Sequence, residues 1–139
     1  MILLDSNILI DVIETDPVWC DWSFAKLDAA AKQSRVVINA IVVAEAAPRG
    51  ESLESFLERL SEMAVEIEQL CEASAYCAGV AFQEYRRRRA GTAATSVLAD
   101  FLIGGHAVIL GATILTRDPR FYRSYFPQVS LITPDHSGE

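Results

Sequence analysis

The 139-residue chain has the length of one domain, and a chain of this size buries roughly 68% of the surface it exposes when extended. With 51% hydrophobic and 22% charged residues, it lies outside the low-hydrophobicity, high-charge composition of disordered proteins. The net charge of −7 argues against broad coating of nucleic acid, because that binding draws its free energy from cations on phosphate. The charge is segregated, however. Through Glu84 there are 5 basic and 15 acidic residues, and from Tyr85 onward 7 basic and 4 acidic.

The first residues, MILLDSNILID, lack a basic start and place Asp5 inside the apolar stretch, unlike a secretory signal, so a cytoplasmic location is expected. Apolar runs at residues 2–4, 36–38, 113–116 and 129–132 predict short buried strands. The segments between them have helical spacing, which predicts an α/β fold with a parallel central sheet flanked by helices. Helices are expected over residues 7–13 and 17–32, the second with Pro17 in its first turn and Trp19, Trp22 and Leu27 packing inward. Residues 51–63 predict an amphipathic helix with Leu53, Phe56, Leu57 and Leu60 on one stripe. Residues 65–70 alternate acidic and apolar and predict an edge strand, and residues 72–89 a long helix ending in four arginines.

The segment AGTAATS, residues 90–96, reads as a loop before a helix over 97–110. That helix opens the apolar run 97–115. An Asp near a bilayer centre costs about 2.5 to 3.5 kcal/mol, and Asp100 and His106 mark the run as core rather than membrane. Gly104 and Gly105 are expected to loosen the helix. Cys20, Cys71 and Cys77 have neither CxxC spacing nor a His cluster and read as buried free thiols in a reducing compartment. No linker or repeat divides the chain, so residues 1–139 are expected to form a single domain with a polar tail from about 134 to 139.

Asp5 and Asp118 follow predicted strands, and in an open parallel sheet ligand sites form at the carboxyl ends of strands. Glu45 and Asp100 lie in apolar stretches that ought to exclude charge, and such acids are rarely buried without a partner. Each also has an ordinary explanation. Asp118-Pro119 and Asp5-Ser6 are good helix starts, and the ordinary reading of Glu45 and Asp100 is a buried carboxylate satisfied by hydrogen bonds or an arginine. Capping leaves Glu45 and Asp100 unexplained, so the joint pattern favours one site. Clustered carboxylates repel unless cations neutralise them, and an all-oxygen set suits Mg²⁺ or Mn²⁺. Two such ions roughly 4 Å apart can activate water and hold a phosphodiester for in-line displacement. Neither a GxSxG nor a GxxxxGK[ST] motif is present.

LLDSNILID, the isolated Glu45, DFLIGGHA and ILTRDPRFYRSYFPQVSLITP together resemble a PIN-domain ribonuclease of the VapC toxin type, over nearly the whole chain. The resemblance implies a PIN-like fold in which Asp5, Glu45, Asp100 and Asp118 bind metal and carry catalysis, with Asn7 and Thr116 orienting those acids. It also implies Mg²⁺ or Mn²⁺, RNA cleavage that inhibits translation or growth, a homodimer, and a cognate antitoxin that blocks the site. Arg86, Arg87, Arg88 and Arg89, and Arg117 and Arg120 beside Asp118, are candidate RNA-phosphate contacts, set against helix capping and solvation for the run of four. Asp11 and Glu14 read as solvated-face charges, with Asp11 able to approach the site. His106 reads as a core histidine and His136 as inert. Tyr122, Tyr125 and Phe126 offer base stacking, though packing is the better reading for at least two of them. Two rival functions remain open: a non-catalytic PIN-like interaction module whose acids hold a basic segment, and a phospho-acceptor signalling domain, which lacks its late lysine here.

Overall fold

The computed structural model describes residues 1–48, 51–89 and 97–134. The expected loop at 90–96 and His136 in the tail lie outside the described residues. Five parallel strands form one sheet in the order β3-β2-β1-β4-β5, with β1 (Ile2–Leu4), β2 (Val36–Ile38), β3 (Val65–Ile67), β4 (Thr113–Leu115) and β5 (Leu131–Ile132). Between them run α1 (Ser6–Ile13), α2 (Cys20–Gln33), α3 (Ala40–Ala46), α4 (Leu53–Glu62), α5 (Glu72–Arg89), α6 (Leu98–Leu110) and α7 (Arg120–Tyr125). The expected α/β class and edge strand are present, and β4 and β5 are shorter than the apolar runs that predicted them.

The strand order reverses at β1, with β2 on one side and β4 on the other. Crevices at such a reversal collect ligands at the carboxyl ends of the strands. The order also differs from the 2-1-3-4-5 of flavodoxin-like sheets, to which phospho-acceptor domains belong. The ladder runs one residue past β1, since the Asp5 amide donates to the Leu115 carbonyl at 3.0 Å. That bond places Asp5 at the end of β1 beside Thr116.

Local chemistry starts the helices. Asp5 caps α1 through the Ser6 amide, Asn39 caps α3 by accepting from Ile41 and Val42, and Ser52 caps α4 through Ser55, each substitutable only at a cost of about 1 kcal/mol. Pro17 precedes α2 rather than opening it, because the Asp16 carboxylate accepts from the Val18 and Trp19 amides and holds a turn there. On α4 only Phe56 and Leu60 are buried; Leu53 and Leu57, expected on the same inward stripe, are exposed. The cysteines are free, but Cys71 is exposed and Cys20 and Cys77 only half-buried, against the expectation of buried thiols.

Gly104 and Gly105 tighten the fold rather than loosen it. A Cβ on Gly105 would stand 2.6 Å from the Ala78 amide nitrogen and 2.7 Å from the Ser74 carbonyl, and one on Gly104 would strike the Phe126 ring. Gly105 lets α5 and α6 cross in close contact, and Gly104 leaves room for Phe126. Around that crossing Phe101 meets Phe82 at 5.4 Å, Tyr85 at 5.5 Å, Phe121 at 4.7 Å and Tyr125 at 5.1 Å between ring centroids. Phe101 follows Asp100 directly, so this aromatic cluster fixes where the Asp100 end of α6 lies. Among the described residues no helix is long and apolar enough to cross a membrane.

Helix propensity and packing make opposite forecasts for the glycines. Propensity favours Ala over Gly by about 1 kcal/mol, yet Gly105→Ala should destabilise the protein by about 1–3 kcal/mol through overpacking. Gly79→Ala, with open space at its Cβ, should stabilise by up to about 1 kcal/mol. Denaturant unfolding of the two variants measures both.

Candidate active site

Asp5 is nearly fully buried at the end of β1. Its Oδ2 accepts from the Thr116 hydroxyl at 2.8 Å and the Tyr122 hydroxyl at 3.0 Å, with Asn7 Nδ2 at 3.5 Å; its Oδ1 accepts from the Ser6 amide at 2.8 Å. Oδ2 is thus saturated, and Oδ1 is the oxygen left to face a ligand. Thr116 in turn accepts from the Asp118 amide at 3.0 Å and from Asn7 Nδ2 at 3.3 Å. One hydroxyl therefore ties Asp5 to the turn that carries Asp118. Asn7 and Thr116 stand against Asp5 as expected.

Asp100, the third residue of α6, is half-buried. Burial pushes its carboxyl up to about 6, with Asp5, Glu45 and Asp118 adding repulsion. Burial also raises Asp5, against its hydrogen bonds to Thr116, Tyr122 and Ser6 and with some repulsion from Glu45. Asp100 thus feels the other three acids, Asp5 also feels Glu45, and no cation counts among the causes of either shift. Glu45 is exposed near the end of α3, not buried as its apolar neighbours suggested. Asp118 is also exposed, and it caps nothing: α7 begins after Pro119 without a side-chain cap.

Among the described residues no three His, Cys, Asp or Glu side chains form a ready-made metal cage. The donor set nevertheless fits a hard divalent cation. All four groups are oxygen acids, Asp100 is repelled by the other three, and Mg²⁺ is commonly held by one or two carboxylates with the remaining positions filled by water.

The arginines divide. Arg117 is committed to Asp11, its Nε and Nη2 donating at 2.7 and 2.9 Å, and its guanidinium lies 5.2 Å from the Trp19 ring. Arg117 is therefore not the phosphate contact the sequence suggested, and Asp11, with 1% of its side chain exposed, is not a solvated charge. Glu14 is exposed as expected. Arg120 is exposed and 3.8 Å from Asp118, an edge contact of little strength. At the end of α5, Arg87 and Arg88 pair with Glu84, while Arg86, Arg88 and Arg89 lie over Phe82, Tyr125 and Tyr85. The stack on Tyr125 sets the basic end of α5 against α7.

Tyr122 and Phe126 are buried, so neither offers a face to a base. Sequence reasoning missed the hydroxyl of Tyr122 as an Asp5 partner. No local spacing signals the pairing, which spans 117 positions of chain. His106 is buried, as expected, with Nδ1 3.1 Å from Asn39 Nδ2, and Asn39 caps the helix that bears Glu45.

The PIN domain family profile matches residues 2–127. The chain belongs to the PIN domain family. No curated protein sequence matches it significantly. Among solved structures, a VapBC2 complex from Rickettsia felis bound to a promoter DNA fragment superposes with a TM-score of 0.69 at 22% identity, covering 96% of this chain and 98% of that one. FitAcB from Neisseria gonorrhoeae gives 0.68 at 24% identity, covering 98% and 99%. A toxin–antitoxin complex from Klebsiella pneumoniae gives 0.65 at 21%, covering 96% and 98%. At these identities the likeness is one of fold.

The raised Asp100 carboxyl has a consequence for stability. The folded chain keeps this proton through a range where the unfolded chain, near 3.8, has released it. Its contribution is fully present below the unfolded value and is lost as pH rises through about 6. With chelator present, the melting temperature of wild type should therefore fall relative to that of Asp100→Asn between pH 4 and 7. Parallel pH profiles for the two proteins would contradict the shift.

Proposed function

We propose that this PIN domain is a Mg²⁺- or Mn²⁺-dependent endoribonuclease, the toxin component of a toxin–antitoxin pair that inhibits translation or growth. The observation that carries the reading is the placement of Asp5 at the end of β1 and Asp118 just past β4, where the strand order reverses, with the Asp100 carboxyl raised by burial and by repulsion from Asp5, Glu45 and Asp118. These four residues would hold the metal. When bound, the ion supplies a water acidic enough to attack near neutral pH and positive charge against the phosphate.

The chain's own residues do the positioning. Thr116, Tyr122 and Asn7 occupy Oδ2 of Asp5 and turn Oδ1 outward. Thr116 also holds the Asp118 amide, so the two strand-end acids keep a fixed separation. Asp100, with a proton to release near pH 6, favours metal binding above that pH and competes against it below. Arg86 to Arg89 and Arg120 supply an exposed cationic surface for the RNA backbone. This surface lies in the basic C-terminal part of the chain, which reconciles a net charge of −7 with local contact to RNA.

The structural relatives include toxin–antitoxin complexes, which supports a cognate antitoxin as partner. A group of acids at the strand ends attracts an arginine or lysine from such a partner, which gives the antitoxin a physical means of blocking the site. A homodimer and a cytoplasmic location belong to the same reading, as does the division of the chain into one domain and a short tail.

Purified protein incubated with labelled single-stranded and structured RNA should cleave on addition of Mg²⁺ or Mn²⁺ and stop with chelator. Asp5→Asn and Asp100→Asn should lose about 100-fold or more of that activity with unchanged circular dichroism. Retained metal-dependent cleavage by folded Asp5→Asn would remove that residue from the site. Absence of any metal effect would favour the interaction module, and phosphotransfer without RNA loss a signalling domain. Arg86→Ala with Arg120→Ala should raise KM more than it lowers kcat, and should flatten the salt dependence of RNA binding by about 0.7 per lost phosphate contact.

A further inference from the structure

Residue 117 stands between two members of the acid site. Thr116 before it donates to Asp5, and Asp118 after it is one of the four acids. Helix α1 grips this residue at both ends. Asn7 Oδ1 accepts from the Arg117 amide at 3.3 Å, and Asp11, four residues on and so on the same helical face, accepts from the guanidinium at 2.7 and 2.9 Å. Ser23 on α2 donates to Asp11 Oδ2 at 2.7 Å, and the Trp19 ring lies against the guanidinium at 5.2 Å.

The Asp11 side chain is 1% exposed. A carboxylate so placed is costly to desolvate, and a buried ion pair is on balance a weak source of stability compared with apolar residues of the same volume. What a bidentate pair provides is geometry, because the planar guanidinium accepts few orientations on a carboxylate. Here that geometry is imposed on the three-residue turn 116–118.

We infer that Asp11 and Arg117, steadied by Ser23 and Trp19, are positioning residues: they clasp the turn 116–118 to α1 and α2 so that Asp118 and Thr116 stand at a fixed distance from Asp5. The inference rests on the reading of the four acids as a metal site. It assigns Arg117 to the acids' alignment and withdraws it from RNA contact.

The test compares wild type with Arg117→Ala, Arg117→Lys, Asp11→Asn and Ser23→Ala. Each is measured for Mn²⁺ binding by calorimetry without RNA, and for kcat and KM on one RNA at several Mn²⁺ concentrations. Removing a group that orients a metal ligand costs about 10–100-fold in metal affinity or activity, and Arg117→Ala and Asp11→Asn should show that loss. In both, kcat at limiting Mn²⁺ should fall while KM for RNA stays within about twofold at saturating metal, because the clasp acts on the metal ligands. Arg117→Lys, which keeps the charge but not the fork, should recover part of the loss, and Ser23→Ala should show a smaller one. If Arg117→Ala does not fold, Arg117→Lys and Ser23→Ala carry the comparison.

Wild-type Mn²⁺ affinity in the folded variants, with KM for RNA raised instead, would overturn the clasp and restore Arg117 as a phosphate contact. A wild-type protein that binds no Mn²⁺ would overturn the metal-site reading and the inference with it. One that binds Mn²⁺ but leaves RNA intact would overturn only the activity, since the calorimetric comparison still decides the clasp.

Discussion

A carboxylate shut away from water must find donors, and Asp5 organises the molecule through the donors it finds. Its Oδ1 starts α1 through the Ser6 amide, and its Oδ2 gathers Thr116 from the end of β4 and Tyr122 from α7. The central strand, its neighbour β4, the first helix and the last therefore meet on one side chain. An unsatisfied carboxylate here would be expensive, so the elements around it are not free to shift. The same saturation leaves Oδ1 with a single donor, and this asymmetry makes the group available to a cation.

The other acids are delivered by different means. Asp100 rides on α6, whose position is set by the glycine contact with α5 and by the aromatic cluster around Phe101. Glu45 rides on α3, whose first turn is capped by Asn39, and Asn39 also meets His106 of α6. Asp118 rides on a turn held by Thr116 and, through its neighbour Arg117, by Asp11. Three kinds of interaction, close apolar packing, a capped helix and a buried ion pair, thus bring like charges together. Repulsion would separate them without that scaffold, and in the proposed function a divalent cation balances it.

Rules that read local pattern succeeded where local pattern decides. Strand runs, helix spacing and the acids after strands were legible because a buried parallel strand needs continuous apolar residues and ligand sites form at strand ends. The rule that an acid in an apolar stretch must have a reason gave mixed results. It identified Asp100, which is half-buried; it named Glu45, which is exposed; and it passed over Asp11 within NILIDVI, which is the most deeply buried of these. Hydropathy around a residue cannot say which way its side chain points once the helix is placed. Leu53 and Leu57 show the converse, an apolar stripe of which α4 buries only part.

The sequence by itself determined the class of fold, through its periodicity, and singled out four acids, two after strands and two in apolar stretches, while Asn7 and Thr116 came with the family resemblance. Only the tertiary structure decided the partners. Tyr122 became a donor to Asp5 over 117 positions of chain, Arg117 was turned from solvent to Asp11 over 106, and Gly104 with Gly105 became a contact surface. Pairings of this kind depend on which side chains the folded chain brings within 3 Å of one another, and that distance is a property of packing that spacing along the chain does not contain.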